Sequence, residues 1–446
     1  MIKNFYNLIR RNSFEGYSML ICILSLLGWI VSYNIFVSII LIIASTFIFV
    51  KKDPIYISSA LFSVLFSYSS RHTYELPIIT IIFGIVLIGY LIFFIIKRRN
   101  RIKLDHTMIF LIVASILSIV SILWNNSIPK DKPILYLLSL AWPLYLLIYI
   151  LYKVSINRIN LKRVLISLKY IGLLIALEVI YSAITGSKSN MLICEDYLGW
   201  GICNEAGILL CMLHPIVAYF IINNDNLGKK FCNIIISLLI IIGILTTGSR
   251  GAYLFGIIET IILIIILIKY SKRRILIALS LTSLFVATLA ALYITRGVSI
   301  IKLFNNTFIN GMVDNGRFQI WSLGFDVYNS NIFSSLLGLG MVSCFNYGQL
   351  TFYEMNVFVV YHSNFIQMLV SFGSIGMIFF MLHFIHKYKN LNNVNYNLGI
   401  FILISYVSTD LYGLIDNTYG MYYYMPIMLM LVAISSINEA KALSLF

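Results

Sequence analysis

Roughly fourteen apolar stretches, most of them near the 20 residues that a helix needs to cross hydrocarbon, run through this chain with short polar joints between them. No soluble fold of 446 residues hides that much apolar surface: 60% of the residues are hydrophobic, 11% are charged, and the mean hydropathy is +0.93. Lipid is the solvent that makes the composition reasonable. Only helices or closed barrels cross lipid, because every backbone N–H and C=O must be satisfied within the protein. The runs are continuous rather than alternating, which excludes the barrel. The expected fold is an all-α polytopic membrane protein, a single transmembrane domain over 1–446. Its spans are read at 14–32, 34–50, 55–70, 76–96, 107–124, 133–152, 164–185, 205–223, 231–247, 251–270, 274–295, 362–385, 396–414 and 420–438. The second and third are short, so the expected count is 12–14, with twelve if that hairpin does not cross.

Charge tests this division. Lys and Arg crowd into every second joint, 24 of the 32, against 8 in the alternate joints. Cytoplasmic joints carry such an excess. The alternation therefore predicts an even number of spans in a plasma membrane, with both termini cytoplasmic. A formal net charge of +15 would suggest nucleic acid in a soluble domain. Here it reflects joints facing an anionic leaflet, and no nucleic-acid partner is expected. The basic segment Met1 to Arg11 precedes an apolar run without a small-residue cleavage site, and it reads as the lead into the first span rather than a cleaved signal. Cys22, Cys211 and Cys232 lie in spans and read as packing residues. Cys194 and Cys203 share one outer joint, where a disulfide is an open alternative. No Cys/His spacing suggests a metal site. Pro143, Pro215 and Pro426 sit inside spans and are expected to kink them.

Against the sparse outer joints a few cations stand out. Arg250, in Thr246-Thr247-Gly248-Ser249-Arg250-Gly251, lies where one helix ends and the next begins. Unpaired N–H groups at a helix start suit a phosphate, and a guanidinium adds a planar fork. A snorkelling contact with lipid headgroups is the plainer alternative. Arg317 follows Asp314-Asn315-Gly316 in the one long joint, 296–361, and either serves an anion or pairs with Asp314. It opens a segment in which Phe318, Trp321, Phe325 and Tyr328 recur at helical spacing, which predicts an interfacial helix with its aromatic side toward lipid or the bundle. His362 stands where that joint re-enters the membrane, and is either a proton carrier or a cap. Glu178, His214 and Glu259 lie inside spans, where ionisable groups are functional suspects or structural pairs. Asp410 and Asp416 flank the last outer turn, in reach of cations or sugar hydroxyls. Tyr422-Tyr423-Tyr424 reads as an aromatic belt, and Gly338-Leu339-Gly340 as a turn.

The order and common side of these features resemble the O-antigen ligase and polymerase family. The resemblance rests on Thr247-Gly248-Ser249-Arg250-Gly251-Ala252, then Gly316-Arg317, Trp321, Leu337-Gly338-Leu339-Gly340, His362-Ser363-Asn364-Phe365-Ile366-Gln367 and Gly373-Ser374-Ile375-Gly376. It covers about 240–385. His362-Ser363-Asn364 departs from the commoner His-Asn form and leaves the role of Asn364 open. The resemblance implies a GT-C-like bundle whose large extracytoplasmic loop carries short helices. It implies an enzyme that transfers a glycan from a polyprenyl pyrophosphate to another lipid-linked unit (polymerase) or to a lipid core (ligase), without metal, nucleotide sugar or other cofactor. His362 would be the catalytic base, and Arg250 and Arg317 would bind the pyrophosphate, with Ser249, Asn364 and Asp410 in support. The implied partners are the lipid-linked donor and acceptor, membrane lipid, and a flippase and chain-length regulator of the same route. Polymerase ranks above ligase. A transporter or flippase of lipid-linked glycan is the alternative of another class, disfavoured because no internal repeat or paired broken helices are seen.

Overall fold

A computed structural model describes residues 13–31, 35–69, 78–124, 140–157, 160–185, 203–224, 226–270, 317–340, 361–419 and 424–437. Most of these residues are helical, and no strand is found among them. Successive helices are α1 (Phe14–Val31), α2 (Ile35–Lys51), α3 (Ile57–Ser69), α4 (Ile78–Lys97), α5 (His106–Val120), α6 (Ala141–Ser155), α7 (Leu161–Thr185) and α8 (Cys203–Asn223). They continue as α9 (Leu227–Thr246), α10 (Arg250–Tyr270), α11 (Arg317–Tyr328), α12 (Ile332–Leu337), α13 (Asn364–Lys389), α14 (Tyr396–Tyr412) and α15 (Tyr424–Ser435). Among the described residues seven helical segments are long and apolar enough to cross a membrane, so the chain is a multi-pass membrane protein. The expected span 274–295, and residues 296–316 and 341–360 of the long joint, lie outside the described residues, as do Cys194 and Asp314. At 17 residues, α2 is about 25 Å long and falls among the shorter apolar helices, below the length of the seven candidate spans.

One helix organises the bundle. In α8, 89% of the membrane window is buried, against 39% in α1 and α10. It is apolar all round because it touches protein all round, packing on α7, α9, α10 and α14. Water gives no hydrophobic drive between helices in lipid, so close approach through small residues replaces it. A Cβ on Gly207 of α8 would lie 2.5 Å from the Cβ of Ala252, and one on Gly243 of α9 would lie 3.1 Å from the Cα of Ala176.

The prolines act differently from expectation. Pro143 and Pro426 fall in the first turns of α6 and α15, where a missing N–H leaves no hydrogen bond unmade. Only Pro215 is internal to its helix. The sharp break is instead at Gly373 inside α13, with φ 62° and ψ −169°. It folds the first part of α13 back on the second, so the Phe365 ring meets Phe380 at 5.9 Å and Phe384 at 6.2 Å. Gly338-Leu339-Gly340 is more than a turn. Leu339 N donates to Val370 O (2.9 Å) and Gly340 N to Ser371 O (2.8 Å), beside the break. A Cβ on Gly338 would lie 2.4 Å from the backbone N of Phe372, and one on Gly373 would lie 2.4 Å from the backbone of Leu336. Two glycine motifs thus dock backbone to backbone and lock α11 and α12 onto α13.

The aromatic stripe of α11 divides rather than facing one way. Ile320, Trp321, Leu323, Val327 and Tyr328 pack in a small core with Tyr361, Ile366 and Val370. Phe318 and Phe325 stand 68% and 48% exposed. Tyr424 is buried and donates to Thr409 Oγ1 (3.2 Å), so it belongs to the interior rather than to a belt; Tyr422 and Tyr423 lie outside the described residues. Cys22 and Cys211 are buried as packing residues, whereas Cys232 is exposed.

Candidate functional site

Antiparallel packing gives the bundle two ends. At one, helix starts and stops meet in ion pairs: Asp53 with Arg163 (2.5 Å), Glu15 with Lys169 (2.7 Å), and Asp105 with Lys153. This is the basic end. At the other, four separate stretches of chain converge: the turn between α9 and α10, the start of α11, the start of α13, and the turn after α14.

The first stretch is capped from its own sequence. Gly248 takes φ 75°, in the left-handed region where glycine has no steric penalty. Ser249 N donates to Thr247 Oγ1 (3.2 Å), and Ser249 Oγ accepts from Ala252 N (3.3 Å), the N-cap bond that starts α10 at Arg250. Arg250 is thus the first residue of its helix, as expected, and is half-buried. Ser249 Oγ also lies 2.6 Å from the hydroxyl of Tyr412, at the end of α14. Gly251 lets the Tyr412 ring approach, since a Cβ there would lie 2.7 Å from its Cζ.

Tyr412 leads into the fourth stretch. Its carbonyl accepts from the backbone N–H of Asp416 (3.0 Å). Asp416 Oδ1 lies 3.0 Å from His362 Nδ1. His362 itself sits at φ +47°, unusual for a side chain with a Cβ. Asn364 fastens the two stretches together. Its Oδ1 accepts from the backbone N–H of Thr418 (2.7 Å) and Tyr419 (3.1 Å), its Nδ2 donates to Thr418 Oγ1 (2.7 Å), and its own N–H donates to Gly413 O (2.8 Å). Asn364 is therefore a clamp under His362.

Electrostatics complete the picture. Burial pushes the Asp416 carboxyl up, but the His362 hydrogen bond and charge, the Arg317 charge and the Asn417 N–H outweigh it and hold the group below the ordinary carboxylate value. An ionised carboxylate only accepts, so His362 Nδ1 carries the proton and Nε2 is the basic nitrogen. The imidazole is 37% exposed against 6% for the Asp416 side chain, so the dyad is buried at its acid and open at its base. Arg317, the first residue of α11, acts electrostatically on both Asp416 and Tyr412. Among the described residues Asp416 Oδ2 meets no hydrogen-bond partner.

The structure thus brings Ser249, Arg250, Arg317, His362 and Asn364 to one end of the bundle. Asp410 does not join them. Its carboxylate accepts from Lys387 Nζ (2.6 Å) and the Tyr388 hydroxyl (2.5 Å), so it is spent on an interior pair, and Asp416 one turn later takes the place beside the imidazole. Asp410 and Asp416 are equivalent in a linear reading, both acids flanking an outer turn. A helix of about 3.6 residues per turn separates them, since position 410 faces α13 from within α14 and 416 hangs past its end. Of the intramembrane suspects, His214 and Glu259 form a pair (3.2 Å) with Ser237 on the other imidazole nitrogen (2.9 Å), about nine residues below the site turn. Glu178 is buried in α7. At the start of α8, Cys203 is disulfide-bonded, while Cys194, the other cysteine of its joint, lies outside the described residues.

Comparison with known proteins adds one match: residues 235–381 fit the family described as O-antigen ligase. That stretch holds Ser249, Arg250, Arg317, His362, Asn364 and the Gly373 break, and it stops short of Tyr412 and Asp416. No curated protein matches the chain.

Proposed function

We propose that this chain, of which residues 235–381 fit the family described as O-antigen ligase, is a membrane glycosyltransferase that polymerises polyprenyl-pyrophosphate-linked oligosaccharide repeats into O-antigen or a capsular or exopolysaccharide. In this reading His362 Nε2 takes the proton of an acceptor hydroxyl. The freed oxygen attacks the anomeric carbon of the donor glycan, and the bond from that carbon to the diphosphate oxygen breaks. Arg250 and Arg317 hold the diphosphate and stabilise the charge it gains. The proton on His362 then passes to solvent, and polyprenyl diphosphate departs. Diphosphate is a good leaving group, so the protein mainly positions and stabilises charge. A positioned base adds about 10²–10⁴-fold. The step as written needs neither metal nor nucleotide sugar.

The observation that carries this reading is the His362–Asp416 contact at 3.0 Å, on the side of the bundle where Arg317 acts on the same carboxylate. A cap would need no buried acid to fix its tautomer. A base does. Orientation is supported twice over. The 24-to-8 partition of cations supports a site end outside the plasma membrane with both termini inside. The disulfide at Cys203, on the site end, belongs to an oxidising compartment. We place the flippase that delivers the donor, and any chain-length regulator, as partners on that side.

Ligation to a lipid core is the second reading, favoured by the description of the matched family itself. A glycan gel from a deletion strain separates the two. Loss of a polymerase leaves single repeats attached to the core, loss of a ligase leaves none attached, and an unchanged ladder would overturn both.

A further inference from the structure

Two neighbouring residues, both beyond the segment matched to the family, join three of the stretches that converge at the site end. Tyr412 is the last residue of α14, and Gly413 follows it. The Tyr412 side chain is buried and lies along the start of α10. Its hydroxyl is 2.6 Å from Ser249 Oγ, its ring fills the space that a Cβ on Gly251 would take, and it packs on the Phe255 ring at 5.7 Å between centroids. Ser249 Oγ also accepts from Ala252 N, so the tyrosine hydroxyl rests on the atom that caps the helix beginning at Arg250. The main chain of the same two residues holds the other half of the site. Tyr412 O accepts from the N–H of Asp416 (3.0 Å), and Gly413 O from the N–H of Asn364 (2.8 Å). The approach there is close, since a Cβ on Gly413 would lie 2.0 Å from Asn364 Nδ2.

The side chain of Tyr412 thus faces the arginine turn while its backbone faces the base. Transfer requires the diphosphate, at Arg250, and the acceptor hydroxyl, at His362, to be presented at one separation, and a misplacement of about 1 Å costs roughly 10²-fold. We propose that Tyr412 is a positioning residue that holds the Arg250 turn in register with the His362–Asp416 pair. It touches no reacting atom and acts through Ser249 and the start of α10. This inference rests on the proposed transferase reading. Tyr419, at the far end of the same turn, supplies a comparison within the molecule. Its hydroxyl is equally buried, but it meets His383 Nε2 (3.1 Å) and Lys387 Nζ (3.2 Å) in the interior rather than the arginine turn.

The test uses the full-length protein in detergent micelles or nanodiscs. The donor is the lipid-linked repeat unit extracted from a strain lacking this chain, and the acceptor is the same repeat on a short water-soluble prenyl chain, so that the two concentrations vary independently. Tyr412→Phe deletes one hydroxyl and keeps the ring and the main-chain bonds, so the base half stays fixed and the arginine half slackens. The donor KM should rise about five- to tenfold, the equivalent of one hydrogen bond, with the acceptor KM unmoved. Ser249→Ala should raise the donor KM too, and the double variant should be no worse than Ser249→Ala alone, because both changes remove the same contact. Tyr419→Phe should lower the melting temperature and leave the donor KM unmoved. An unchanged donor KM in Tyr412→Phe, an acceptor KM that rises in step with it, or an equal rise in Tyr419→Phe would overturn the assignment. Additive effects in the double variant would do the same, as would a fall in kcat alone with the melting temperature lowered, which is the mark of a structural role. If wild-type protein transfers no glycan at all, the transferase reading fails first and takes this one with it.

Discussion

At the basic end Asp53, Glu15 and Asp105 each meet a lysine or arginine that neutralises them. At the opposite end Asp416 meets an imidazole through one oxygen, and among the described residues its other oxygen has no hydrogen-bond partner. Both ends have acids and bases in quantity. What differs is whether the chain itself completes the pairing. Pairs that are closed within the protein fix helix ends. Groups left with spare capacity, on backbone held by Tyr412, Asn364 and a strained His362, are arranged for something that arrives. The pair Lys387–Asp410 sharpens the contrast, because it lies only six residues from Asp416 in sequence and yet belongs with the closed type.

The largest expected effect is on the open side. His362→Ala and Arg250→Ala should abolish chain extension, a fall of about 10²–10⁴-fold for the base, with protein levels in the membrane unchanged on immunoblot. Full-length glycan from either variant would erase the distinction between the ends. Asp416→Asn comes next. An amide can present its N–H to Nδ1 and favour the wrong tautomer, so the transfer rate should fall by at least about tenfold, toward the roughly 10⁴-fold seen when an orienting acid is lost. A rate assay at saturating donor reads it directly.

The same carboxylate has a pH signature. Its native value is depressed below the ordinary 3.8. A depressed acid contributes stability that is fully present above the unfolded value and is lost as pH falls through the folded one. The melting-temperature gap between wild type and Asp416→Asn should therefore close as pH falls through the depressed value. A gap that stays open there would mean that another group governs it. Arg317→Lys is expected to have a smaller but clear effect, roughly tenfold, because a point charge does not replace a planar fork. Near wild-type output would show that two-pronged binding plays no part there.

The bundle was largely legible in sequence because hydrophobic length and cation alternation are read one residue at a time, and lipid enforces both. The ends of α7, α8, α10 and α14 fall within a few residues of the expected spans. Arg250, Arg317 and His362 were legible for the opposite reason, as polar residues where composition leaves few. Tertiary placement was not legible. Nothing local tells Asp410 from Asp416, or marks Gly207 as seated against Ala252, 45 residues away. Gly373 was visible only as part of a motif, since a glycine in an apolar run signals close packing as readily as a break. The prolines misled because their effect depends on the distance to a helix start, and sequence fixes that boundary to within only a few residues.

The smallest expected effect lies at the basic end and tests the comparison from its other side. The Arg163 side chain is 37% exposed, so water and salt screen its pair with Asp53. An exposed pair of this kind contributes about 0–1 kcal/mol. Asp53 would keep Asn160 Nδ2 and the N–H of Ile55 as donors after Arg163→Gln. That variant should lower the melting temperature slightly and leave the transfer rate within about twofold. A rate loss comparable to Arg317→Lys would place the basic end in the reaction, and the division between closed and open charge would then say nothing about where the chemistry occurs.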